Sequence, residues 1–280
     1  LALGEFANAA GVANVQVATG QTLTNSIQNV AEGKTDISAA PFILPFLLSR
    51  GVGPYAKLGK DTGAEYADRL SVLYTYRLGV FTLSAYNSSS VKGWDSLEGK
   101  PIYNGPPRGA ALTNARGVVK LATGLGDGEG YTGVQVNWDQ AVKTMTDGSA
   151  DAFVLPSSFP DGRHTAAVAS GGITMWSMPK AAFESDATQK YMKAPGSGKV
   201  DIPLSEAIQP EGVNVVSEDG RFRGVATVGG EVVRKDMDEE LAYQLTKAVL
   251  DNLDAIKSKT PFLPQVSLGE IADTATTGMC

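Results

Sequence analysis

Ten residues of this chain are written twice. Residues 32–41 read EGKTDISAAP and residues 147–156 read DGSADAFVLP. Both run acid, Gly, two residues, Asp, a short apolar stretch and Pro. An amphipathic helix pattern precedes each, with Leu23, Ile27, Val30 and Ala31 in the first and Trp138, Ala141, Val142 and Met145 in the second. Those offsets put one apolar stripe on each helix. Gly33 and Gly148 fall where a helix ends in a left-handed residue, and Ile37–Ala40 and Ala152–Leu155 suit short buried strands. Two helix–Gly–strand units so far apart predict two similar α/β lobes.

With 280 residues the chain can hold two domains of ordinary size, and 42% hydrophobic content supplies a core for each. The net charge of −6, without a basic run, argues against nucleic acid and anionic membrane as partners. The longest apolar stretch, around Phe42–Leu48, is broken by Pro45 and falls short of the roughly 20 residues of a membrane span. No signal peptide is visible, because Leu1 opens directly in a helix-like pattern. A mature or trimmed product, or a cytoplasmic one, is expected. One cysteine (Cys280) and one histidine (His164) leave no intrachain disulfide, no cysteine-rich zinc site and no metal site to predict.

Along the chain, Leu1–Ala10 reads as helix, Val12–Ala18 as strand, 22–32 as helix and 36–41 as strand. Segment 42–63 is rich in Pro and Gly and is expected to wrap the surface. Leu70–Tyr86 is strongly strand-like. Pro101–Tyr103 is a strand, Asn104–Gly109 (NGPPRG) a tight loop, and the helix beyond it carries Leu112, Ala115, Val118, Val119 and Ala122. Residues 157–222 look the least regular. Gly224–Val233 returns to strand. Asp236 opens a long helix, with Glu239 completing a capping box, and Thr260-Pro261 ends it.

Strand, Gly loop and helix make an anion site, because the first backbone N–H groups of a helix lack partners and carry partial positive charge. Arg108 would add a bidentate carboxylate contact; an ordinary βα connection with a solvated arginine fits the same residues. Other polar groups leave the carboxyl ends of strands, where open α/β sheets gather ligands. They are Thr24, Asn25 and Ser26 at a helix start, Tyr74 and Tyr76 on one strand face, and Ser157-Ser158. Core packing explains the tyrosines as well, and a solvated turn the serines. His164 sits in a polar turn and reads as structural, so no nucleophile–base set emerges and an enzyme is not expected. The string GLGDGEG at 124–130 follows a helix rather than a strand, so it reads as a flexible connection and not as a dinucleotide loop.

Four stretches together carry a family resemblance. TNSIQNVAEGKTD, VKGWDSLEGKPIYNGPPRGAAL, DGSADAFVLPSSFP and GVATVGGEVVRKDMDEELAYQLTKAVLDNLD resemble, in order, the motifs of the TAXI solute receptors of tripartite (TRAP) transporters. The chain departs from that pattern in three places. The first strand and its Gly-rich turn are absent before Leu1, a His-Pro-Gly-Ala segment is absent after Cys280, and a Ser-Gly-Thr loop is replaced by Gly109-Ala110-Ala111 beside Arg108. The resemblance implies an α/β, two-lobed periplasmic binding protein of type II-like fold, with a hinge of crossing strands and a ligand cleft between the lobes. Lobe 1 would be 1–84 plus 225–280 and lobe 2 would be 85–224. It implies a monomer that captures a small anionic solute, a carboxylate or amino acid such as glutamate or a 2-oxo acid, for TRAP membrane subunits. No cofactor is implied. Thr24, Asn25 and Ser26 would bond the ligand from lobe 1, and Arg108 with the amides of Gly109 and Ala110 from lobe 2. Tyr74 or Tyr76 would pack beside it, and Ala39, Pro41, Gly105, Ser157 and Ser158 would line the site. The same module could instead serve as the ligand-sensing domain of a signalling receptor or adaptor.

Overall fold

Both copies of the repeated phrase fold alike locally. Gly33 and Gly148 take φ of 74° and 77°, a region closed to most side-chain-bearing residues. Each turns the chain from a helix end into a strand. The computed structural model describes residues 2–18, 23–158, 161–206 and 211–259. In chain order the elements are α1 Ala2–Ala9, α2 Leu23–Ala31, β1 Ile37–Pro41, α3 Ile43–Arg50, α4 Gly59–Asp68, β2 Leu70–Tyr86, β3 Pro101–Tyr103, α5 Ala110–Thr123, β4 Thr132–Val134 and α6 Ala141–Thr146. Then follow β5 Ala152–Ser157, α7 Gly162–Gly171, β6 Ile173–Trp176, α8 Lys180–Glu184, α9 Asp186–Met192, β7 Ser197–Pro203, β8 Val213–Val216, β9 Arg221–Arg234, α10 Glu239–Leu250 and α11 Leu253–Lys259. The described residues form two compact units, 2–78 with 228–259, and 79–227. The chain passes from one to the other inside β2 and inside β9.

In the first unit, β1 pairs antiparallel with the end of β9 (Ile37 opposite Val233, Pro41 opposite Gly229), and β9 lies beside β2. One apolar cluster joins Ile27, Val30, Ala40, Phe42, Leu48, Tyr55, Leu70 and Val232. A second joins Leu3 and Ala7 of α1, Tyr74 of β2, and Leu245, Val249 and Leu253.

In the second unit, β3 runs parallel to both β4 and β5. Antiparallel to these, β2 pairs with β5 and β6, β6 pairs parallel with β8, and β7 pairs antiparallel with β9. The run Ala152–Leu155 shows why β5 is continuously apolar. Ala152 and Val154 join the cluster of Trp94, Ile102, Val118 and Val119, while Phe153 and Leu155 join that of Tyr103, Ala141, Met145 and Ala167. Successive side chains point to opposite faces, and both faces of this strand are covered.

Several sequence expectations are corrected. Val12–Ala18 is not a strand: the Asn8 carboxamide bonds both backbone groups of Val15, accepting from its N–H at 2.6 Å and donating to its carbonyl at 3.0 Å. Val17 stays half exposed. Segment 42–63 holds α3 and the start of α4 rather than a surface wrap. Pro45 falls in the first turn of α3, where a backbone N–H has no helical partner to lose. Residues 157–222 carry α7, β6, α8, α9, β7 and β8, each too short for periodicity to reveal. The last long helix is capped by Asp238, whose side chain accepts from the N–H of Leu241 at 2.9 Å, while Asp236 pairs with Arg234. That helix is broken at Asp251-Asn252 into α10 and α11. Thr260-Pro261 lies outside the described residues. Trp138 and Val142 are 42% and 41% exposed, so the stripe they were expected to share is reduced to Ala141 and Met145.

Candidate functional site

Strands β4 and β3 end level, Tyr103 standing opposite Val134, while the parallel neighbour β5, whose Phe153 also stands opposite Tyr103, runs on to Ser157. The segments that leave them are the Asn104–Gly109 loop, Gln135 and Ser157-Ser158. Of the residues singled out in the second unit, Gly105, Arg108, Gly109 and Ala110 follow the end of β3, whereas Ser157 and Ser158 lie at the far end of β5, four and five residues past Phe153. The loop begins in a buried polar network. Asn104 is fully buried; its Nδ2 donates to Asp127 Oδ2 (3.3 Å) and to the Tyr131 hydroxyl (3.3 Å), and its Oδ1 accepts from Gln135 Nε2 (2.7 Å). Asp127 also takes Arg116 Nε at 2.7 Å and the Gly133 N–H at 2.8 Å. Burial pushes the Asp127 carboxyl upward, but the hydrogen bonds from Arg116, Gly133 and Asn104 outweigh it and hold it below the usual carboxylate range. Both ends of the Asn104 carboxamide are thus occupied, and the next residue is held by its own backbone, the Gly105 carbonyl accepting from the Val136 N–H at 3.2 Å.

Beyond Gly105 the loop surfaces. Pro107, Arg108 and Gly109 are exposed, and Arg108 forms no salt bridge with another described residue. Gly109 is the N-cap of α5, with φ of 101° and no side chain to satisfy the first turn. The amides at the start of this 14-residue helix and one uncommitted guanidinium thus share a surface, a combination suited to a carboxylate.

Next to it, Asp161 caps α7. It accepts from the N–H groups of Arg163 (3.1 Å) and His164 (3.2 Å), from the Ser157 hydroxyl (3.3 Å), and lies 2.7 Å from His164 Nδ1. Burial opposes its charge, yet His164 and Arg163 hold its carboxyl well below the usual range. His164 is buried and built into this cap. Ser157 is buried, its hydroxyl turned to Asp161, whereas Ser158 is half-buried.

In the first unit the singled-out residues fall into two groups. Thr24, Asn25 and Ser26 form the first turn of α2; the Thr24 carbonyl accepts from the Tyr55 hydroxyl at 3.1 Å, and Asn25 is exposed. Tyr74 and Tyr76 stand together, ring centroids 5.9 Å apart. Tyr74 is 5% exposed within the cluster beneath α1 and α10. The Tyr76 hydroxyl donates to Glu231 Oε1 at 3.0 Å, and Glu231 stands opposite Ala39 in the β1–β9 register, with Pro41 opposite Gly229. Burial raises the Glu231 carboxyl above its usual range, against the opposing hydrogen bond from Tyr76.

Asn104 is read from the sequence only as the start of the loop and Trp138 only as part of a helix stripe, and the pairings of Asp127, Arg163 and Glu231 are not legible there. Asp127 lay in GLGDGEG, and its partners are distant in the chain. Glu231 carried a signal, as a lone acid inside the apolar run VGGEVV. Among the described residues no cluster of His, Cys, Asp and Glu could hold a metal ion, and no helix is long and apolar enough to cross a membrane.

The profile of the NMT1-like family matches residues 2–278. The chain belongs to the NMT1-like family. No curated protein matches it. Among solved structures, this NMT1-like protein is similar to a putative sulfonate ABC transporter's periplasmic sulfonate-binding protein from Methylobacillus flagellatus KT. The TM-score is 0.50 at 13% identity, over 91% of this chain and 62% of that one. It is also similar to a TRAP periplasmic solute binding protein from Ralstonia eutropha H16 with bound (S)-2-acetolactate, with TM-score 0.48, 12% identity and coverage of 89% and 70%. A third is the periplasmic aliphatic sulphonate binding protein of Escherichia coli, with TM-score 0.43, 12% identity and coverage of 61% and 54%. The NMT1-like chain thus spans 54% of the Escherichia coli protein and 62% of the Methylobacillus one. At such identities the likeness speaks to fold alone, a mixed α/β fold shared with the Methylobacillus protein.

Proposed function

We propose that this NMT1-like protein captures a small carboxylate or amino acid in the periplasm for a TRAP-type transporter, as a receptor of the TAXI class. Arg108 carries this reading. An exposed arginine with no ion-pair partner among the described residues stands just before the N-terminus of α5, in the loop that leaves β3 where β3 and β4 end level. The order of the four TAXI-like stretches supports the transporter class. The Asn104–Asp127 network supports a binding role for the loop, because a fixed loop loses less entropy on binding than a mobile one.

The test is a thermal-shift and calorimetric screen of amino acids, 2-oxo acids and dicarboxylates on protein unfolded and refolded to strip any passenger. A ligand at a hundred times its dissociation constant adds about 2.7 kcal/mol of stability. Arg108→Ala is expected to lose about 1.5–3 kcal/mol of affinity, or roughly 10- to 150-fold, as for a charge-assisted hydrogen bond. Arg108→Lys should recover part of it. Affinity unchanged in Arg108→Ala would remove Arg108 from the site.

A further inference from the structure

Trp138 is 42% exposed, an unusual position for the largest apolar side chain. It opens a 3-10 turn, Trp138–Gln140, ahead of α6, and the core beneath that helix is completed without it by Ala141 and Met145. Two neighbours place the indole. The Arg163 guanidinium lies over its ring, 4.7 Å from the centroid, a cation–π pair. Its edge faces Gly105 of the loop: a Cβ built on that glycine would lie 3.8 Å from Trp138 Cη2. Arg163 is itself fixed, donating to the Pro156 carbonyl at 2.9 Å and to Asp161 Oδ1 at 3.4 Å. The brace thus reaches through Asp161 to the cap of α7 and to Ser157 at the end of β5.

This arrangement sets a rigid apolar surface beside the loop that carries Arg108. Gly105 and Arg108 are three residues apart, at most about 10 Å of chain, which a small ligand and an arginine side chain together can span. The cation next to the indole is already engaged, because Arg163 pairs with Asp161 and donates to the Pro156 carbonyl. A second carboxylate on the ligand would find no unengaged cation there among the described residues, whereas an apolar or planar group would cover exposed ring. Resting on the functional reading above, we propose that Trp138 is a specificity-determining residue. It stacks against the body of the carboxylate held at Arg108 and selects monocarboxylates with a flat or branched apolar body, aromatic or branched 2-oxo and amino acids, over dicarboxylates.

Calorimetry on the full chain, refolded free of passengers, tests this with phenylpyruvate, 3-methyl-2-oxobutanoate, pyruvate and 2-oxoglutarate. The wild type should prefer the first two to 2-oxoglutarate. Trp138→Ala should weaken those two by about tenfold or more, the usual scale for a stacked aromatic contact, and leave pyruvate within about threefold. Trp138→Phe should keep most of the preference. Binding should also quench or shift indole emission in the wild type, and this response should vanish in Trp138→Phe, since Trp94 and Trp176 are buried. Carboxylate binding that Trp138→Ala leaves unchanged, or weakens equally for all four, overturns the role of Trp138 while the functional reading stands. A wild-type preference for 2-oxoglutarate does the same. A wild type that binds none of the four, nor any compound of the wider screen, overturns both.

Discussion

Asp127 does more for the Asn104–Gly109 loop than any residue within it. One carboxylate gathers Arg116, Asn104, Gln135 and the Gly133 amide, and is itself only 12% exposed. Substituting it leaves a buried amide and a guanidinium without their acceptor, and groups bonded to a charge are worth about 1.5–3 kcal/mol. Asp127→Ala is expected to lower stability by about that amount in urea unfolding and, if the loop binds ligand, to weaken affinity with Arg108 intact. The direction with pH follows from its depressed carboxyl. Its contribution is fully present above the unfolded value of about 4, and is lost as pH falls through the lower folded value. Asp127→Asn should therefore show a shallower loss of stability between neutral pH and acid than the wild type.

Among the elements, α3 and α4 pack backbone against backbone. Gly51 ends α3 with φ of 59°, and a Cβ there would overlap the Gly59 carbonyl; a Cβ on Gly63, inside α4, would overlap the Leu48 carbonyl. The two helix backbones thus meet at glycines, sealing Leu44 and Leu48 into the core cluster of the first unit. Judged as an isolated helix position, Gly63→Ala should gain about 1 kcal/mol. In this packing it forces backbone apart, and overpacking typically costs about 1–3 kcal/mol. The expected result is net destabilisation, read as a lowered midpoint in thermal or denaturant unfolding. A rise in the midpoint would show that α3 and α4 do not approach this closely.

For the whole molecule, stability should be limited on both sides of an optimum pH. On the acid side stand carboxylates held down in the fold. Asp161 is one, and Asp219 is another, drawn down to about 2 by its bidentate pairing with Arg223. Their contributions are lost as pH falls through their depressed values. On the other side stands Glu231, raised by burial. Between its unfolded and its folded value the native state binds more protons than the unfolded chain, so stability declines as pH rises through that window. Glu231→Gln keeps an acceptor for the Tyr76 hydroxyl and removes the ionisation. It should flatten the decline above the optimum and leave the acid limb unchanged, as measured by urea midpoints across the pH range. An unchanged upper limb would mean that Glu231 is not protonated in the fold.

What the sequence determined by itself is what neighbours in the chain decide. The turns at Gly33 and Gly148, the long strand β2, the unit β3–loop–α5 and the buried run of β5 rest on backbone conformation and short periodicities, and all could be read from the letters. Tertiary structure decided whatever depends on partners far along the chain. The Asn104 bond to Asp127 spans 23 positions and that of Tyr76 to Glu231 spans 155. Local pattern also misled where another group took over a backbone role, as the Asn8 amide does for Val15, or where a proline sits harmlessly in a first helical turn, as Pro45 does in α3. Trp138 shows the same division. Its apolar character placed it in a core stripe by periodicity, but the packing of Ala141 and Met145 filled that core first, and Arg163, 25 residues on, left the indole standing beside Gly105.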